Sequence, residues 1–130
     1  MKLRGSIIEQ KLRDELIASH DSLFKSSEDK KILSCLMKQY PDMVTAYLLH
    51  WICEQGEDIY HYLIDLGKVC IIEVSRVETD LDPIVEDYPL NLYKKELNRT
   101  DRIRFFIAQE LAKSDIHTNH LSKPLSSKVE

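Results

Sequence analysis

The chain has 130 residues, 43% apolar and 31% charged, which fits one globular domain with a core of its own and argues against disorder. Its net charge of −4 argues against a nucleic-acid binder, since phosphate contacts need clustered Lys and Arg, and suits a basic partner. Three cysteines, Cys35, Cys53 and Cys70, with no CxxC pair, argue against a disulfide framework or a thiolate zinc site.

The opening "MKLRGSIIEQKLRDEL" carries charges every few positions and no apolar run, unlike a signal peptide. No later stretch is apolar for long enough to span a bilayer, so the cytoplasm is the expected compartment. Residues 5–19 place Ile8, Leu12 and Leu16 at helical spacing, with Lys11, Arg13, Asp14 and Glu15 between them. "SSEDKKILSCLMKQYP" predicts a second helix with a serine cap, Glu28 and Asp29 in the first turn, and Pro41 as its stop. Ile32, Leu33, Leu36 and Met37 are its expected buried stripe.

From Met43 the pattern changes. "MVTAYLLHWIC", "IYHYLIDL" and "VCIIEVSRV" are rich in β-branched and aromatic residues and are separated by Gly56 and Gly67. They read as a three-stranded antiparallel meander, with Gly67 left-handed in a three-residue loop. Residues 78–89, acidic and interrupted by prolines, read as a loop. "LNLYKKEL" predicts a short helix after Pro89. "RTDRIRFFIAQELAKSD" predicts a final helix capped by Thr100, with Ile103, Phe106, Ile107 and Leu111 inward. The expected architecture is a single α+β domain over residues 1–116, with two N-terminal helices, the meander and C-terminal helices, followed by a flexible tail over 117–130.

The stretch "HWICEQGEDIYHYL" carries the most chemistry. A two-residue turn at Gln55 and Gly56 sets Ile52 opposite Ile59, His50 opposite His61 and Leu48 opposite Leu63. One face then holds Leu48, His50, Ile52, Ile59, His61, Leu63, Val69 and Ile71. The other holds Tyr47, Leu49, Trp51, Cys53, Tyr60, Tyr62, Ile64, Cys70, Ile72 and Val74. Both are apolar, so both need a cover: helices on one, and more helix, a second copy or another protein on the other. A slip of one residue would exchange a strand's faces.

Two imidazoles can divide the roles of general base and general acid. A zinc site would need further ligands, with Glu73 or Asp65 the nearest, and no metal or cofactor is expected. Two half-buried polar residues on a packed sheet are the plainer account of His50 and His61. Cys53 has no activating neighbour in sequence. The basic residues Lys94, Lys95, Arg99, Arg102 and Arg104 interleave with Glu96 and Asp101, a salt-bridging pattern more than a phosphate track. No GxSxG, HExxH or glycine-rich phosphate loop occurs, and no catalytic residue is assigned.

The acids are the stronger signal. Glu54, Glu57 and Asp58 cluster at the hairpin turn, and Glu78, Asp80, Asp82, Glu86 and Asp87 follow after the third strand. Such a field attracts a cationic protein surface. Trp51 and Tyr60 are the aromatic residues of the kind that anchor interfaces. These ten residues are the expected partner-binding set.

In "ICEQGEDIY", "ETDLDPIVEDY" and its two-sided sheet, the chain resembles in character the small cytosolic immunity proteins of bacterial toxin systems, of the contact-dependent growth-inhibition or colicin type. The resemblance covers residues 43–88 and implies tight binding of a cognate toxin, often a basic nuclease. The leading expectation is thus a protein-binding inhibitor that neutralises a basic toxin domain through its acidic loops, binding neither nucleic acid nor membrane. The alternatives are a small hydrolase or nuclease using His50 and His61, and a homo-oligomeric structural or regulatory protein.

Overall fold

Two hairpin turns set the sheet. The computed structural model describes residues 2–27, 29–78 and 80–129, with side chains over residues 7–118 of those spans. β1 (Ala46–Glu54) and β2 (Glu57–Ile64) meet at Gln55 and Gly56, where Gly56 takes φ 78°. A side chain there would press on Val77 Cγ2, 3.2 Å from an ideal Cβ. β2 joins β3 (Lys68–Ser75) through residues 65–67. The left-handed residue is Asp65, φ 52°, and not the expected Gly67. Asp65 carries that conformation because its carboxylate accepts the N–H groups of Val44 and Thr45 at 2.9 and 3.0 Å.

A fourth strand corrects the expected three. β4 (Ile84–Tyr88) lies inside the stretch read as loop and pairs antiparallel with β3, from Val69 opposite Tyr88 to Glu73 opposite Ile84. Pro83 and Pro89 flank these five residues without interrupting them, and an edge strand tolerates its acids. The sheet order is β1-β2-β3-β4. With α1 (Lys2–Lys25), α2 (Lys30–Gln39), α3 (Leu90–Glu96) and α4 (Arg99–Val129), the described residues form an α+β fold of four helices and one antiparallel sheet.

The two-residue turn gives the expected pairs as far as His50 opposite His61, but Leu48 then pairs with Tyr62 and Tyr47 with Leu63. Leu49 is an extra residue in β1, a bulge, and it exchanges the faces of everything before it. Tyr47 and Leu49 therefore join Leu63 and Val69 in one core, beneath Leu12 and Leu16 of α1, Tyr93 of α3, and Phe105, Ile107 and Ala108 of α4. Leu48 crosses to the second core, where Ala46, Tyr62, Ile64, Cys70 and Ile72 meet Leu23 of α1 and Ile32 and Leu36 of α2. Helices cover both faces, but only at the end remote from the hairpin tip: β2 is buried from Tyr62 to Ile64 and only partly buried from Glu57 to His61. Each fully buried leucine contributes about 1.5–3 kcal/mol by leaving water.

Helix ends and stripes depart from expectation in detail. α2 starts after Asp29, which stands at the N-cap position in place of the expected serine; its carboxylate accepts the Ser22 hydroxyl at 2.6 Å and makes no cap hydrogen bond. Glu28 lies outside the described residues. Met37 is exposed, as are Ile8 and Phe106, while Phe105 takes the inward position on α4. Asn98, and not Thr100, caps α4 by accepting the Asp101 N–H at 2.8 Å. α4 runs to Val129, longer than the expected final helix "RTDRIRFFIAQELAKSD".

One polar node joins the layers. Asp115 of α4 accepts the hydroxyls of Thr45, at 2.8 Å, and Tyr47, and its carboxylate lies 3.7 Å from His20 Nε2. His20 stacks on Tyr47 with ring centroids 4.8 Å apart. Burial and then this hydrogen bond push the Tyr47 phenol well above its ordinary range.

Candidate functional site

The register arranges the helix-free end of the sheet in rows. Reading across the face that carries α1, α3 and α4, the buried row is Tyr47, Leu63, Val69 and Tyr88. Next come His50, His61, Ile71 and Glu86; then Ile52, Ile59, Glu73 and Ile84; then Glu54, Glu57 and Ser75 at the tip. The face passes from apolar core to a mixed strip of isoleucine and glutamate, and no Lys or Arg stands in these rows. Ile84 is 61% exposed.

The carboxylates crowd one another. The Glu73 carboxyl is pushed above its ordinary value by loss of water, by a hydrogen bond with Glu57, and by the charges of Glu57, Glu86 and Glu54. Glu73 is thus the centre of the acidic face. The alternation of Ile71, Glu73 and Ser75 against Ile72 and Val74 is the sequence signal that marks it.

The ten expected partner-binding residues do not form one surface. Glu54, Glu57 and Glu86 share the acidic face just described. Trp51, Asp58 and Tyr60 lie on the opposite one. There Trp51 is 56% exposed and stacks on Tyr60 with centroids 6.3 Å apart. Asp58 is not a free tip acid: its side chain is 15% exposed and lies within 3.3–3.7 Å of Cys53 Sγ, Trp51 Nε1 and Arg76 Nε. Arg76 also donates to the Glu54 carbonyl, tying the tip to the end of β3. Asp87 turns to α2, where it accepts the Tyr40 hydroxyl. Glu78, Asp80 and Asp82 are exposed in the connection between β3 and β4. The hydrogen bond to Asp58 comes first among the causes that push the exposed Cys53 thiol up, away from nucleophilic thiolate.

A cleft of about 220 Å³ opens where the acidic face runs under α3 and α4. Its walls include His50, His61, Tyr93, Glu96 and Asp101. The two imidazole centroids are 5.6 Å apart, and His61 Nδ1 is 3.0 Å from the Tyr93 hydroxyl. His61 is half-buried; burial, and then the charge of His50, lower its pKa and keep the ring neutral near pH 7. Tyr93 is buried, and that burial together with Asp101 and Glu96 raises its phenol and keeps it protonated. Glu96 is held by the Tyr88 hydroxyl, at 2.9 and 2.8 Å from its two oxygens. Tyr93, Glu96 and Asp101 were absent from the sequence-derived set, because they lie more than thirty residues from His61 and only α3 and α4 bring them there.

No family model, no curated protein and no solved structure matches the chain. The chemistry of the site is read from its geometry. Among the described residues, no group of three His, Cys, Asp or Glu side chains could hold a metal ion, and no helix is long and apolar enough to cross a membrane. What remains is an acidic, partly apolar sheet face that ends in a ring-lined cleft.

Proposed function

We propose that this chain is a protein-binding inhibitor, working in the cytoplasm, that docks the acidic face of its sheet on a basic surface of another protein. The carrying observation is the row pattern: Ile52, Ile59, Ile71 and Ile84 stand beside Glu54, Glu57, Glu73 and Glu86 on one face, and none of the four isoleucines is fully buried. Isoleucines supply affinity when covered, and carboxylates held together supply long-range attraction and register. A nuclease-type toxin domain, whose Lys and Arg hold phosphate, is the partner that the resemblance to immunity proteins suggests. The carboxylates would then stand in for the nucleic-acid backbone and block the toxin's own site.

The test compares the immobilised chain with its Glu54→Gln/Glu57→Gln/Glu73→Gln/Glu86→Gln variant. The expected partner is basic, is retained by the wild type and lost by the variant, and associates more slowly as salt rises. Equal retention by both chains would sink the reading.

The cleft favours a second reading, a small hydrolase using His50 and His61 with Glu96 and Asp101 nearby. It requires turnover of an ester or phosphodiester that His50→Ala and His61→Ala each abolish without unfolding the chain.

A further inference from the structure

We propose that the cleft between the β1–β2 hairpin and α3–α4 seats one arginine side chain of the basic partner. This rests on the acidic face being the docking surface, which the cleft adjoins through His50 and Ile52. At about 220 Å³ the cleft falls below the roughly 300–1,000 Å³ of small-molecule and cofactor sites, and it suits a single side chain.

Its chemistry selects the cation. The wall is a run of rings: His61 meets Tyr93 at 5.5 Å and 67°, and Tyr93 meets Phe105 at 6.2 Å. Ring faces attract a planar cation, and Phe105 already has the Lys94 ammonium 5.7 Å from its centroid. The rim supplies two carboxylates. Asp101 lies 3.6 Å from Arg104, whereas the hydrogen bonds on Glu96 come from a neutral hydroxyl, which orients its charge without cancelling it. No Lys or Arg lines the cleft. Leu49 and Leu97 offer apolar surface to the methylenes of a long side chain. A guanidinium stacks on rings, forks onto a carboxylate and loses water more readily than an ammonium, so arginine fits where lysine fits less well.

The experiment titrates the isotopically labelled full chain with the peptide acetyl-Gly-Arg-Gly-amide, following the ring signals of His50, His61 and Tyr93. Those signals should shift together and saturate with a Kd of about a millimolar, as for a one-residue ligand. Glu96→Gln should weaken the peptide about tenfold, because one charge-assisted contact is lost. The neutral citrulline peptide should leave the signals unmoved, and the lysine peptide should bind more weakly. Equal shifts with citrulline or lysine would overturn the proposal, as would no shift at all. So would shifts that grow with protein concentration alone, which would place a second copy in the cleft. The quadruple Glu→Gln variant of the open face should bind the peptide within about twofold of wild type, since one tenfold step needs a lost contact of about 1.4 kcal/mol. The cleft and the docking face can therefore fail separately: the first by this titration, the second by equal capture of the partner.

Discussion

His61 Nδ1 and the Tyr93 hydroxyl lie 3.0 Å apart, and this contact fastens the second strand to α3 at the cleft wall. It holds a half-buried imidazole in a protein that carries acids on the same face. Because burial lowers the His61 pKa from its ordinary 6.5, the unfolded chain binds the proton more tightly than the folded one. The stability that this group contributes is complete above about pH 6.5 and is lost as the pH falls through the lower, folded value. Urea melts between pH 7.5 and 5 should show that slope, and His61→Gln should flatten it. Tyr93→Phe should cost about 1 kcal/mol at neutral pH through the lost bond.

Glu73 gives the opposite sign. Its pKa is raised above 4.5 by desolvation and by the neighbouring glutamates, so the folded chain holds its proton more tightly than the unfolded chain does. Stability should therefore fall as the pH rises from about 4.5 through the folded value, and the crowding persists at pH 7. Glu73→Gln should leave the fold at least as stable as wild type at pH 7 and remove that slope. A loss of stability in the variant at neutral pH would contradict the crowded-carboxylate account.

Asp115 is the acceptor for two hydroxyls whose residues are 1% and 3% exposed, Thr45 and Tyr47. Asp115→Ala leaves both without it, and should cost about 1–3 kcal/mol in denaturant unfolding. Asp115→Asn keeps one carbonyl oxygen and should cost less. Equal losses would mean that the charge, and not the accepting oxygen, holds α4 to β1.

The bulge is the feature that separates what could be read in the chain from what could not. Gly56 between alternating apolar runs identifies the hairpin and the facing of His50 and His61, and both hold. Leu49 leaves no trace, because Leu48 and Leu49 are both apolar and an extra leucine preserves the pattern while moving Tyr47 to the other core. β4 was hidden by its own composition, since acids between two prolines read as loop until a neighbouring strand pairs with them. The acids themselves were plain. Their faces were not, because alternation assigns a face only once the register is known, and so Asp58 and Asp87 were grouped with Glu54 and Glu86. Deleting Leu49 tests this directly. Deletion joins Leu48 to His50, so the observed pairs Leu48–Tyr62 and His50–His61 become consecutive and Tyr47 and Leu48 keep their faces. The deletion should therefore cost about what Leu49→Ala costs through the lost side chain, about 2–4 kcal/mol. A deletion variant that melts far below Leu49→Ala would show that the bulge itself, and not only the buried leucine, is needed.

The hairpin tip offers the sharpest division between folding and binding. Glu54 and Glu57 face each other across the turn and hold their charge toward the open face. Glu54→Lys/Glu57→Lys leaves Gly56 and its turn in place; Glu54 is exposed and the partly buried Glu57 is crowded by the like charge of Glu73, so stability should change by less than about 1 kcal/mol. Asp58, one residue further on, is different: it accepts from Trp51 Nε1 and Cys53 Sγ and pairs with Arg76. Asp58→Lys replaces that acceptor with a like charge beside Arg76 and should cost about 1–3 kcal/mol. Against the partner the order should reverse. The double reversal sets lysines against a basic surface and should weaken binding by several kcal/mol, mostly by slowing association, whereas Asp58→Ala should leave the association rate close to wild type. Stopped-flow association at low and physiological salt, beside urea melts of the same proteins, measures both orders at once. If Asp58→Ala slows association as much as the double reversal does, the tip binds through its Trp51 face and the row of glutamates is only a solvated edge.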